Sequence, residues 1–297
     1  MKKKITPSRV LFNVLNYTFF AAFLILCAYP LWYVLIYTIS DPAVLKNQTV
    51  TFLPRGFSLT NVKKVLALQG VFQAFGMSVA RTVVGTAATV FCCTVLGYLF
   101  TKEKMPFRKV LYRFLIVTMY VSGGMIPTYL VFRSYGLLNR FAAYVLPGMV
   151  SAYYVILVKT YIESLPPALE ESAVLDGARY DQIILRLIVP LSVPIIATIA
   201  IYSAVGQWNS WFDNHIYTFR NKKLLTLQYM LYNYLQEAEA LAKLMAESSE
   251  VIRAEDYITP TGVKMTVTLI TVLPILLVYP FLQRFFIKGI MIGAVKG

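Results

Sequence analysis

Six stretches of the chain are long, uncharged and predominantly apolar: residues 10–40, 82–101, 114–132, 141–158, 187–212 and 265–283, each of at least 18 residues. About 20 apolar residues carry a helix across roughly 30 Å of hydrocarbon. In lipid only helices and closed barrels satisfy their own backbone hydrogen bonds, and these runs lack the period-two alternation of barrel strands. The pattern predicts an all-α integral membrane protein in a single domain over 1–297. Its six transmembrane helices are expected at roughly 17–39, 74–100, 111–132, 141–162, 190–208 and 265–285. The uncharged run 65–80 is interrupted by Gln69, Gly70, Gln73 and Gly76 and reads as an interfacial lead-in to the second span. Residues 224–253 are amphipathic and charge-laced, an expected helix inside a long extracytoplasmic loop, 209–264.

Smaller features modify individual spans. Gly85-Thr86-Ala87-Ala88 and Gly97 allow helix backbones to approach closely. Ser122-Gly123-Gly124, followed by Ile126-Pro127, predicts a kink in the third span, serving either packing or flexing. Arg81, near the outer end of the second span, reads more readily as a snorkelling arginine than as a charge in a transport pathway.

Composition excludes an ordinary soluble domain: 58% of residues are hydrophobic and 14% charged, against about a quarter charged in soluble domains. Met1-Lys2-Lys3-Lys4 precedes an apolar run too long for a signal core and without a small-residue cleavage site, so the first helix is expected to be retained. The net charge of +14 would suit nucleic acid, but its distribution argues otherwise. With the N-terminus inside, 15 of the 28 Lys and Arg are inner, and only 7 are outer once the long loop is set aside. The short loops orient the chain with both termini cytoplasmic, and the remaining basic character suits anionic lipid headgroups. Cys27, Cys92 and Cys93 lie in spans and read as packing residues. One histidine, His215, rules out a His-Glu-x-x-His zinc site, and no Gly-x-x-x-x-Gly-Lys-Ser/Thr loop occurs. No metal or cofactor is expected on this chain. The apolar runs hold no acid, which counts against an intramembrane aspartyl enzyme and an ion-coupled secondary transporter.

The loop 164–189 is the most informative segment. Glu163, Glu170, Glu171, Asp176 and Asp181 crowd the connection between two spans. Pro166-Pro167 ends one helix and can begin another. Glu170 and Glu171 then fall where the positive end of the helix dipole favours carboxylates. Gly177, beside Asp176, supplies a left-handed stop. A second amphipathic stretch, 180–189, leads to Pro190 and Pro194. The expected object is a helix–turn–helix elbow projecting from the inner face, a docking surface for a soluble partner.

Glu171-Ser172-Ala173-Val174-Leu175-Asp176-Gly177-Ala178, followed by Leu187-Ile188-Val189-Pro190, resembles the EAA loop of ABC-importer permeases, Glu-Ala-Ala-x-x-x-Gly with a later Ile-x-Leu-Pro. Ser172 replaces the first Ala, and Leu187 and Val189 replace Ile and Leu. Gly123-Gly124-Met125-Ile126-Pro127, Gln207-Trp208-Asn209-Ser210-Trp211 and Val278-Tyr279-Pro280-Phe281 extend the similarity to the carbohydrate-uptake branch, of the LplC/YtcP type. The resemblance implies a Type I importer (MetI-like) permease fold in the bacterial plasma membrane. It implies a second homologous permease, two ABC ATPase subunits that carry the ATP and Mg²⁺, an extracytoplasmic solute-binding protein, and a sugar substrate. Glu170, Glu171, Ala173, Asp176, Gly177 and Ala178 would form the coupling helix against the ATPase. Permeases for amino acids or phosphate share the loop and remain the nearest alternative. For the sugar pathway, Trp208, Asn209 and Trp211 offer rings and an amide, with Tyr202 and Ser203 one turn deeper; an interfacial aromatic belt is the competing reading.

Overall fold

The computed structural model describes residues 7–45, 49–247 and 260–294. Among these the only strand-like feature is one isolated antiparallel bridge, Ser40 to Phe57. Helices occupy most of the rest: α1 (Pro7–Thr38), α2 (Pro42–Leu45), α3 (Thr60–Leu66), α4 (Val71–Leu99), α5 (Arg108–Val117), α6 (Met125–Ser134), α7 (Ala142–Val145) and α8 (Ala152–Glu163). They continue with α9 (Ala168–Leu175), α10 (Tyr180–Gln182), α11 (Val189–Leu191), α12 (Val193–Asn209), α13 (Leu227–Glu247) and α14 (Pro260–Ala294).

Contacts divide the chain into two compact units. The first comprises Met1–Gln69 and Asn233–Leu273. Its α1 exposes apolar side chains along most of its length, including Phe12, Leu15, Phe19, Phe23 and Leu26, as a helix bathed in lipid would. At its end Trp32 Nε1 donates to the Phe52 carbonyl at 2.9 Å, and Ser58 N donates to Ile39 O at 2.9 Å. Gly56, at φ +64°, makes the return turn that these bonds need.

The second unit comprises Gly70–Tyr232 and Pro274–Gly297. Its centre is α4, which packs on α8 and α12. The buried stripe Ala74, Ser78, Arg81, Gly85, Thr89, Cys93 and Gly97 recurs every three or four residues. Its small members do what the sequence predicted. A Cβ on Gly97 would stand 2.7 Å from Val158 Cγ1, and one on Gly85 2.6 Å from Gln207 Nε2. The principal core joins Cys93, Tyr98 and Phe100 to Val155, Val158 and Ile162 of α8, Ile183 and Ile188, and Ile199 of α12.

Straight spans are fewer than the six expected. By length and apolar composition, three uninterrupted helices among the described residues can cross a membrane, or up to five if two bent pairs each count once. One pair, Ala142–Gly148 with Ala152–Glu163, bends by 48°. The carbonyls freed at this break are taken up by α4: Thr89 Oγ1 donates to Gly148 O at 3.0 Å, and Cys93 Sγ approaches Met149 O and Ser151 O at 3.7 and 3.8 Å. The other, Tyr180–Leu191 with Val193–Asn209, bends by 81° at Ser192, between Pro190 and Pro194, so the straight part of the expected fifth span, 190–208, starts on the far side of a break. The expected third span, 111–132, is divided instead into α5 and α6. Gly124 sits at φ +84°, open to glycine, and Pro127 follows in the first turn of α6. The anticipated kink is a full break. The amphipathic stretch 224–253 forms α13 over Leu227–Glu247; its residues 248–253 lie outside the described residues.

Candidate functional site: a charged elbow and a polar cavity

The elbow forms as its residues dictate. Pro167 sits ahead of α9 at φ −57°, and its carbonyl accepts from Glu170 N and Glu171 N at 3.0 and 3.1 Å. At the other end Gly177 adopts φ +77°. Gly177 N donates to Val174 O at 3.0 Å and Ala178 N to Ala173 O at 3.0 Å, the paired bonds of a Schellman stop. The chain then enters α10, where Gln182 Oε1 accepts from Arg179 N at 3.0 Å. A π-helical turn over Ile183–Ile188 continues to α11, and Ile183 and Ile188 anchor this limb in the core.

The six elbow residues singled out in the sequence have different surroundings. Ala173 and Ala178 pack against the protein's own core. Glu170 turns inward, accepting from Tyr98 Oη at 2.9 Å and pairing with Lys102 Nζ. Glu171, Asp176 and Gly177 are exposed. Glu171 makes no side-chain hydrogen bond or ion pair among the described residues. Beside it Leu175 is 87% exposed and Val174 is also open, so α9 presents an apolar knob flanked by carboxylates.

Within the same unit lies a cavity of about 360 Å³. Tyr202 and Ser203 line it, as do Tyr144, Tyr154, Tyr217, Thr89, Ser151 and Gln207. Hydroxyls and aryl faces of this kind suit a polyhydroxylated ring, whose C–H faces stack while its hydroxyls exchange hydrogen bonds. The other three predicted pathway residues lie outside this lining. Trp208 is buried edge-on against Phe75 at 6.0 Å, Asn209 accepts from Gln228 Nε2 at 3.1 Å, and Trp211 stacks on Tyr232 at 4.1 Å.

Arg81 corrects the snorkelling expectation. Its side chain is 2% exposed and lies at the cavity wall. It donates to Gln207 Oε1 at 3.1 and 3.2 Å, to Ser210 O at 3.2 Å, and to both oxygens of Asp213 at 3.1 and 2.5 Å. Its guanidinium also lies 4.4 Å from the centre of the Tyr144 ring. A buried guanidinium is tolerable only when paired and fully hydrogen-bonded, and Asp213, just past an uncharged run, folds back to supply the counter-charge. Around this pair Asn214, Thr218, Thr226 and Tyr144 form a buried network: Asn214 Nδ2 donates to Thr218 Oγ1 at 2.7 Å, Thr226 N donates to Asn214 Oδ1 at 2.8 Å, and Tyr144 Oη donates to Leu224 O at 2.7 Å. The first part of the expected loop is thus tightly bound protein.

Residues 6–292 match the family model described as "Binding-protein-dependent transport system inner membrane component". Protein LplC of Bacillus subtilis (strain 168) is 35% identical over 293 residues, covering 98% of this chain and 97% of that one. The polygalacturonan/rhamnogalacturonan transport system permease protein YtcP of the same organism is 31% identical, covering 97% and 99%. In three dimensions the chain is similar to a bacterial ABC transporter involved in the import of the acidic polysaccharide alginate: TM-score 0.83, 25% identity, 95% of this chain and 98% of that chain covered.

Proposed function

Because the chain belongs to the family of binding-protein-dependent transport system inner membrane components, we propose that it is the membrane-spanning permease subunit of an ATP-driven importer of carbohydrate, an oligosaccharide handed over by a solute-binding protein. It is a multi-pass membrane protein and a transport subunit, not an enzyme. ATP hydrolysis belongs to two copies of a separate ATPase, and a second homologous permease completes the pathway. In this reading both termini and the elbow are cytoplasmic, residues 209–264 are extracytoplasmic, and the broken pair α5–α6 makes the third of six crossings.

The observation that carries the proposal is the elbow, whose exposed Glu171, Val174, Leu175 and Asp176 offer an apolar knob rimmed by charge. Such a knob fits a cleft in an ATPase, with Glu171 meeting a basic or N–H donor there. Closure of the ATPase dimer on ATP then drags the elbow, and the helices rock between inward-open and outward-open states. Tyr202 and Ser203 contact sugar in the cavity. Trp208, Asn209 and Trp211 fasten the end of α12 to α4 and α13 and hold that side of the pathway in shape.

Purification of the tagged chain from its native host in mild detergent tests the assembly. Wild type is expected to bring down a second permease and a P-loop ATPase, and Glu171→Lys to lose the ATPase at least tenfold while still reaching the membrane. Wild-type capture and uptake by Glu171→Lys would overturn the docking assignment.

A further inference from the structure

Two adjacent carboxylates on one helix face opposite ways. Glu171 is exposed, whereas Glu170 is held by Tyr98 and Lys102. Tyr98 itself is fully buried, in the last full turn of α4. Lys102 lies on a turn continuous with that helix, through Phe100 N to Leu96 O at 3.0 Å, Thr101 N to Tyr98 O at 3.0 Å and Lys102 N to Leu99 O at 3.0 Å. The Lys102 ammonium also sits 4.2 Å from the centre of the Tyr98 ring. One cation and one phenol thus converge on a single carboxylate, and the cation is itself held over the ring of that same tyrosine, so the three side chains fix one another.

The same helix is fastened again further along. From Tyr98 back to Arg81 α4 rises about 26 Å, and there Arg81 binds Gln207, Ser210 and Asp213 at the cavity wall. Between the two points Gly97 and Gly85 leave no slack against Val158 and Gln207. A helix so packed transmits displacement as a rigid rod, since close-packed interiors yield little.

We infer that Tyr98, Lys102 and Glu170 form a clamp that makes the elbow and α4 move as one body, and that α4 delivers the elbow's displacement to the Arg81–Asp213 pair at the cavity. This rests on the elbow being the ATPase-docking element. The adjacent carboxylates then have separate roles, Glu171 meeting the ATPase and Glu170 passing the motion on. Tyr98 and Lys102 are positioning residues, with no contact to substrate or nucleotide.

The test compares import with ATP hydrolysis in proteoliposomes holding the complete complex and its binding protein, with radiolabelled trigalacturonate as probe. Lys102→Glu, which sets two carboxylates against each other, is expected to hydrolyse ATP within twofold of wild type while import falls at least tenfold. The charge-swapped pair Lys102→Glu with Glu170→Lys should recover at least half of the import, which a merely misfolded elbow would not. Tyr98→Phe, lacking one hydrogen bond, should lower import per ATP about threefold. Wild-type import per ATP in Lys102→Glu, or an assembled swap variant without recovery, would overturn the clamp. Loss of ATPase capture by Lys102→Glu would also overturn it, by making Lys102 part of the docking surface. Failure of the underlying reading looks different: Glu171→Lys would then capture ATPase normally, and the inference would fall with it.

Discussion

Arg81 and Asp213 show how much a single position can conceal. In the sequence Arg81 is one charge at the end of an apolar run, and its partner lies more than a hundred residues away, outside every such run. One signal was available. Ser78, Arg81, Gly85 and Thr89 share a face, and small and polar residues at helical spacing mark a side turned toward protein rather than lipid. Removing one member of such a pair strands the other. Arg81→Met is expected to cost about 3 kcal/mol, the low end for a broken buried pair because Asp213 is 21% exposed. Thermal unfolding in detergent would register this as a lowered midpoint, and Asp213→Asn combined with Arg81→Met should recover part of it. Gly177 concealed nothing, because a glycine after an eight-residue helix states its own geometry. Gly177→Leu forces a branched side chain into φ +77°, a cost of about 1–2 kcal/mol. Faster hydrogen exchange confined to Leu169–Ala178 amides would be the expected result.

Elements were legible where composition alone decides them and less so where packing does. The long apolar helices α1, α4 and α14 fall within a few residues of expectation at the ends their runs define, although α1 and α14 run beyond them. The elbow was readable in detail, since prolines, acids and glycine each have a local reason for their places. The break between α5 and α6 and the 48° bend before α8 were underestimated. A hydropathy run registers apolar length but not whether the backbone continues its helix through it. That depends on Gly124, Pro127 and Pro147 and on neighbours such as Thr89 that receive the freed carbonyls. The close approach of α4 to its neighbours leads to a graded expectation. Gly97→Ala drives a Cβ against the stiff, β-branched Val158, whereas Gly85→Ala meets the end of the longer Gln207 side chain. Overpacking of this kind costs about 1–3 kcal/mol. The Gly97 variant should be the less stable of the two by differential scanning fluorimetry, and the reverse order would contradict the packing described here.

For the molecule as a whole, the transport role followed from the loop 164–189 together with the apolar pattern, whereas the cavity did not. Its lining is drawn from α4, α7, α8, α12 and the segment after α12, and no linear motif assembles those five. Tryptophans drew attention to the end of α12, yet it is the tyrosines, spread over many turns, that converge. Uptake assays with radiolabelled trigalacturonate, an alginate trimer, maltotriose, glutamine and phosphate are expected to favour an oligosaccharide by at least tenfold. Ser203→Trp, which fills part of the cavity, should reduce that uptake while leaving ATPase capture intact. The stretch 118–124 has a consequence of another kind. Its residues are exposed, and its backbone leaves the helix inside a run long enough to lie at membrane depth. The amides of residues 118–121 bond back into the preceding turn and Gly124 N bonds Ser122 Oγ, but backbone that leaves the helix at that depth is tolerated only against protein or water, so the second permease is expected to cover this surface. Synthesised alone, the protein would be an orphan that cellular surveillance of the membrane can recognise and destroy. Pulse–chase should find a markedly shorter lifetime in cells lacking the second permease, and cellular levels of the two chains would then be matched by degradation as well as by synthesis.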